Sequence, residues 1–220
     1  MIRVLACQFS MSESSVTRFA AEQTGRFLAG EGPELPPTLA PVSDDAQLPK
    51  LLLTGPPKSG KSTAVAHLVR LLEQHDIAVG GFVTHEQRER GRRVGFVVED
   101  IAGPSAVFAH QSFSGVQVGR FGVDVAAFER VALPALRRAI DDGGAIVVDE
   151  IGRMELASEA FVRLVQEALD ASVSMVATVH MHVHPFTDAV KRRSNVELLT
   201  LTEGNRDELP RYLLSRLTTP

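Results

Sequence analysis

Between residues 51 and 63 the chain reads LLLTGPPKSGKST: an apolar run without polar alternation, a loop holding Gly55, Pro56, Pro57 and Gly60, and then a lysine and two hydroxyls. An unbroken apolar run is what a strand shows when helices cover both faces of its sheet. The residues that follow, STAVAHLVRLLEQH, place Ala64, Val65, Leu68, Leu71 and Leu72 on one face of a helix. A buried strand that passes through a tight glycine loop directly into an amphipathic helix restricts the chain to folds in which helices pack on a sheet.

Within that segment Gly55, Gly60, Lys61 and Ser62 satisfy the spacing GxxxxGK[ST], in the strand-to-helix context the motif requires. Glycines let consecutive backbone N–H groups turn inward around phosphate oxygens, and the helix N-terminus adds its positive dipole end. The nucleotide-binding segment is therefore read as Gly55, Pro56, Pro57, Lys58, Ser59, Gly60, Lys61, Ser62 and Thr63. Lys61 is expected to reach the β- and γ-phosphates of ATP, GTP or another nucleoside triphosphate, Ser62 to ligate Mg²⁺, and Thr63 to lie near the α-phosphate. The prolines fall where a fixed φ stiffens the loop at little cost, and Lys58 is expected to extend to solvent.

After the helix, strand-like and helix-like stretches alternate. IAVGGFVT and GRRVGFVVEDIAG read as an antiparallel hairpin about Gly91, DVAAFERVALPALRRAI as a helix despite Pro134, and AIVVDEIG as a buried strand. Residues 158–170 read as a helix, VSMVATVH as a strand, DAVKRRS as a short helix, VELLTLT as a strand, and RDELPRYLLSRL as a closing helix. That order implies an α/β fold with a mainly parallel sheet, the hairpin being a small insertion. Residues 1–49 differ: GEGPELPPTLAPVSDDAQLP has no apolar periodicity to bury. The expected organisation is a largely disordered N-terminal extension over 1–49, with a short helix at 14–29 as a candidate docking segment for a protein partner, and a phosphate-binding domain over 50–220.

Composition narrows the function classes. With 23 Lys and Arg against 27 Asp and Glu, a net charge of −4 and no basic run, nucleic acid is not an expected partner. No apolar run approaches the roughly 20 residues of a membrane span. A single cysteine, Cys7, allows no internal disulfide and suits a reducing compartment, so the expected location is cytoplasmic.

The stretch AIVVDEIGRMEL carries the second half of the chemistry. Asp149, at the C-terminal end of a strand, is placed to hold Mg²⁺ opposite Ser62, and Glu150 to orient and deprotonate an attacking water. The pair favours hydrolysis; a kinase or phosphotransferase, and a nucleotide-switched binding module, are the alternatives.

Five stretches, LLLTGPPKSGKST, GGFVTHEQRERGRRVGF, VGRFGVDVAAFERVALPAL, VVDEIGRMEL and NRDEL, occur in an order and at distances that resemble the nucleoside-triphosphatases first known from thermophiles, called cancer-related NTPases in animals. The resemblance covers about residues 50–215. It implies a P-loop NTPase fold, a RecA-like three-layer sandwich, with Mg²⁺ dependence and slow hydrolysis of several nucleoside triphosphates to diphosphate and phosphate. By position it makes Lys61 and Glu150 catalytic, places Arg153 near the γ-phosphate, and brings Asn205 and Arg206 toward the base. No NKxD sequence is present to select guanine. Lys58, Ser62, the stretch HMHVHPF and residues 1–49 depart from the family pattern.

Three other groups stand out. His180, His182 and His184 alternate, so in an extended chain they share a face about 6–7 Å apart, within reach of a bridging zinc or nickel ion. A solvated loop is the competing reading, and His180 alone is a candidate contact for the γ-phosphate or the attacking water. Arg88, Arg92 and Arg93 offer an arginine finger on the hairpin, set against a solvated charged turn with Glu86 and Glu89 interleaved. In VGRFGVDVAAFER the apolar residues read as core, and Arg120 and Asp124 are the members able to turn toward the nucleotide.

Overall fold

Strand β1 (Lys50–Thr54) is buried along its whole length, as its unalternating sequence requires. The computed structural model, which describes residues 48–218, continues from it through α1 (Lys61–Gln74), β2 (Val79–Glu89), β3 (Arg92–Asp100), β4 (Ser105–His110), β5 (Val116–Val118) and β6 (Phe121–Val123). There follow α2 (Val125–Asp142), β7 (Ala145–Ile151), a 3₁₀ turn (Glu155–Ala157), α3 (Glu159–Asp170), β8 (Met175–Val179), α4 (Pro185–Lys191), β9 (Val196–Thr200) and α5 (Leu209–Thr218).

The described strands form one sheet in the order β5-β6-β4-β3-β2-β7-β8-β1-β9. From β2 to β9 every pairing is parallel, and from β2 outward through β3, β4, β6 and β5 every pairing is antiparallel. Period-two alternation sends neighbouring side chains to opposite faces. Leu52, Ile146, Val148 and Ala177 join Phe82, Phe128 and Phe161 under α2 and α3, whereas Leu51, Leu53, Val147 and Val176 pack with Val65, Leu68 and Leu72 of α1 and Leu209 and Leu213 of α5. The result is the α/β three-layer sandwich. On the α2–α3 side three phenylalanines meet edge-on, Phe82, Phe128 and Phe161, with ring centroids 5.2–5.6 Å apart.

The antiparallel part is larger than a single hairpin. The β2–β3 hairpin turns at Arg90 and Gly91, both at positive φ, and β4, β5 and β6 extend the sheet beyond it. Helix α2 runs through Pro134, whose ring lies on the solvent face. Asp124 is the N-cap of α2, its carboxylate accepting from the Ala127 N–H, and Arg120 stacks on Phe121 while donating to the Arg93 carbonyl. Both residues are thus engaged in structure, in keeping with the reading of this stretch as core rather than with the alternative that they turn toward the nucleotide. The closing helix starts at Leu209, after a turn over 203–208. The candidate helix at 14–29 lies outside the described residues.

Candidate functional site

β1 delivers Gly55 to the C-terminal edge of the parallel strands, where open α/β sheets bind ligands. Gly55 has φ 156°, and a Cβ there would lie 2.7 Å from the Leu201 carbonyl oxygen, so the loop can pass the end of β9 only with glycine. The Ser59 N–H closes the turn on the Pro56 carbonyl, Gly60 at φ 100° leads into α1, and exposed Lys58 sits at φ 66°. Lys61 folds back over this loop, its Nζ donating to the carbonyls of Gly55 at 3.0 Å and Pro56 at 3.3 Å. These two carbonyls hold the ammonium where phosphate oxygens would compete for it.

Asp149 lies two residues before the end of β7 and is 1% exposed. The Thr178 hydroxyl donates to its carboxylate and the Ser62 hydroxyl lies beside it, bringing together two motifs with 86 residues of sequence between Ser62 and Asp149. Its Oδ2 is buried without a partner. Burial pushes the Asp149 carboxyl above its ordinary value, against the pull of Thr178, Ser62 and Lys61. A buried carboxylate oxygen without a donor, beside a serine hydroxyl, is the oxygen-donor chemistry a Mg²⁺ ion takes up together with phosphate and water ligands. Glu150, partly buried, is likewise pushed up, first by burial and then by the charge of Asp149, with Lys61 opposing. Arg153 is exposed two residues beyond β7.

Asn205 and Arg206 reach the loop side differently. The Asn205 amide accepts from the Thr202 N–H and donates to the Thr200 carbonyl, so it ties the turn after β9. The Arg206 Cδ lies 3.9 Å from where a Cβ on Gly60 would stand. Of the two, Arg206 is the side chain that approaches the phosphate loop.

On the hairpin, Arg93 packs over the rings of Phe96 and Phe121 and pairs with Glu86, and Arg88 pairs with Glu86 and the Gly91 carbonyl. Glu86 therefore engages two of the three finger candidates, leaving exposed Arg92. The rings of His182 and His184 stand 5.8 and 6.3 Å from that of His180. Among the described residues no three His, Cys, Asp or Glu side chains are arranged to hold a metal ion.

Two residues of the site escaped the sequence reading. Thr178, which holds Asp149, is a hydroxyl inside the apolar run of β8, and that interruption was its signal. Glu155 lies in GRMEL and is buried beside Glu150; a charged residue at the start of a short turn carries no periodicity that marks it as buried.

Comparison with known proteins agrees with this fold. A family model described as NTPase matches residues 50–214. The nucleoside-triphosphatase THEP1 of Methanothermobacter thermautotrophicus is 40% identical over 161 residues, covering 73% of this chain and 91% of that protein. Its namesake from Thermotoga maritima is 36% identical over 169 residues, covering 76% and 95%. Among solved structures, THEP1 from Aquifex aeolicus superposes with a TM-score of 0.70 at 35% identity, over 77% of this chain and 99% of that one. A human cancer-related nucleoside triphosphatase does so with a TM-score of 0.68 at 29% identity, over 77% and 97%.

Proposed function

The chain belongs to the NTPase family and is a nucleoside-triphosphatase, and on that premise we propose that it works with Mg²⁺ and accepts triphosphates of several bases, releasing diphosphate and phosphate. The observation that carries the metal is the buried, unpartnered Oδ2 of Asp149 beside the Ser62 hydroxyl. Broad base acceptance is supported by the contacts at hand: loop amides, Lys61 and Asp149 all address phosphate and metal, which every triphosphate shares, and the amide of Asn205 is already taken by backbone.

In this reading Ser62 and Asp149 would hold the metal, which when bound would neutralise charge on the triphosphate. The backbone N–H groups of residues 58–63 orient the phosphate chain, and Lys61 exchanges its two carbonyl acceptors for phosphate oxygens, where it stabilises charge developing on the β–γ bridge. Glu150 accepts a proton from the attacking water as the water oxygen bonds to the γ-phosphorus and the β–γ bridge bond breaks. Its raised pKa makes it a stronger base than an exposed carboxylate. Arg153, exposed and adjacent, is the candidate for additional charge at the γ-phosphate. The lone cysteine suits a cytoplasmic setting, and no helix among the described residues is long and apolar enough to cross a membrane.

The test is phosphate release from ATP, GTP, CTP and UTP, with and without Mg²⁺, beside Glu150→Gln. Release from several triphosphates that needs the metal and falls by about 100-fold or more in the variant is expected. Turnover without metal, from a single base, or undiminished in Glu150→Gln would overturn the corresponding part of the reading.

A further inference from the structure

We propose that His180 is a further catalytic residue of this site, donating a hydrogen bond to the terminal phosphoryl group of a bound triphosphate and accepting one from the attacking water. The inference rests on the hydrolytic reading above. Its first support is topological. β8 lies in the sheet between β1, which delivers the phosphate loop, and β7, which delivers Asp149 and Glu150. A residue at the C-terminal end of β8 therefore emerges between the two halves of the chemistry.

The second support is the face. Along β8, Val176 packs on the α1 side with Leu53 and Val147, and Thr178, two residues on, turns its hydroxyl to Asp149. His180 continues that alternation one position past the strand. Its main chain is held there, since the Lys191 ammonium donates to the His180 carbonyl at 2.8 Å.

The third support is the ring. His180 is 8% exposed, and neither Nδ1 nor Nε2 meets a hydrogen-bond partner in good geometry, the His182 backbone alone lying near the ring. A buried polar side chain so little satisfied is uncommon in a native structure and calls for a ligand or water to complete it. A neutral imidazole carries one N–H donor and one acceptor nitrogen. A γ-phosphoryl oxygen can only accept, and a water has protons to give, so a neutral ring between them satisfies both. Burial first, then the charges of Lys191, His182 and His184, push His180 below its ordinary value and favour that neutral form, against a smaller opposing pull from the His182 backbone. No proton is transferred to the ring; Glu150 still takes it.

The distinguishing measurement is a pair of affinities. Calorimetry with ADP and with the non-hydrolysable β,γ-imido analogue of ATP, both with Mg²⁺, is compared for the full chain, His180→Ala and His180→Gln, alongside kcat and KM for ATP and thermal denaturation as the folding control. We expect His180→Ala to bind the analogue about 10-fold more weakly, with ADP affinity unchanged, and to lose about 100-fold in kcat. His180→Gln, which keeps a donor and an acceptor, should recover part of both. Unchanged kcat and analogue affinity in His180→Ala, or equal losses for ADP and the analogue, would overturn the proposal, the latter by showing a purely structural role. Should the unmodified chain release no phosphate from any triphosphate, the hydrolytic reading fails by itself, while the two affinities still decide whether His180 senses the terminal phosphate.

Discussion

Gly152 stands where two carboxylates converge. A Cβ on it would lie 2.6 Å from Glu150 Oε1 and 2.6 Å from Glu155 Oε2, so any side chain there would displace both carboxylates. Glu155 is 5% exposed and hydrogen-bonded to backbone at Gly152 and at its own amide. Burial, and then the charge of Glu150, push it from 4.5 up to about 8. A carboxyl raised on folding binds more protons in the native than in the unfolded chain across that interval, so its stabilisation is complete below pH 4.5 and is lost as pH rises to about 8. Glu155→Gln, neutral at every pH, should remove that loss, which is at most about 5 kcal/mol. Urea midpoints of both proteins at pH 5 and pH 8 measure it. The difference between the two pH values should shrink in the variant, and an identical difference would show that Glu155 is ionised throughout. Neither Asp149 nor Glu155 could have been assigned these environments from sequence, because the desolvation that raises them is produced by β8, α3 and the 3₁₀ turn closing around the end of β7.

At the scale of elements, Lys50 shows how a strand and a helix are tied. It opens β1, is 4% exposed, and its ammonium donates to the carbonyls of Ala168 and Ala171, at the end of α3, and of Val173. Carbonyls at a helix C-terminus lack intrahelical partners, and a cation there also meets the negative end of the dipole. Burial pushes Lys50 down to about 8 while Asp170 and these carbonyls favour the charged form. Lys50→Met fills the space but leaves the carbonyls without their donor, and should cost about 3 kcal/mol in urea unfolding; a change under about 0.5 kcal/mol would mean that water replaces the lysine. The sequence made α1, α2, α3 and the apolar strands legible through their periodicities. It also held a signal for Asp124, an aspartate just before the periodic run of α2, which is the ordinary mark of an N-cap. It did not mark β5 and β6, which at three residues each are too short to show alternation, nor β4, whose identity depends on pairing with β3 and β6.

For the molecule as a whole, every residue assigned to the site lies between Gly55 and Arg206, inside the stretch matched by the family model. Among the described residues the sheet begins at Lys50, and the carbonyl of Pro49 just before it accepts from the Met175 N–H. A chain beginning at Leu48 should therefore keep the phosphate-release rate and nucleotide affinity of the full chain. A large loss in either would place part of the nucleotide site in residues 1–47. By itself the sequence determined the layered α/β architecture and placed the glycine-rich loop at 55–63 and the adjacent Asp149 and Glu150 at the ends of two of its strands, because each is encoded locally, in spacing and hydrophobic period. Only the tertiary structure decided what surrounds them. Inserting β8 between β1 and β7 sets Thr178 on Asp149 and brings the chain at His180 out between the ends of those two strands, and Glu86 engages two of the three hairpin arginines. Those relations join residues far apart in the chain, and they arise from strand order and burial, which no local pattern specifies.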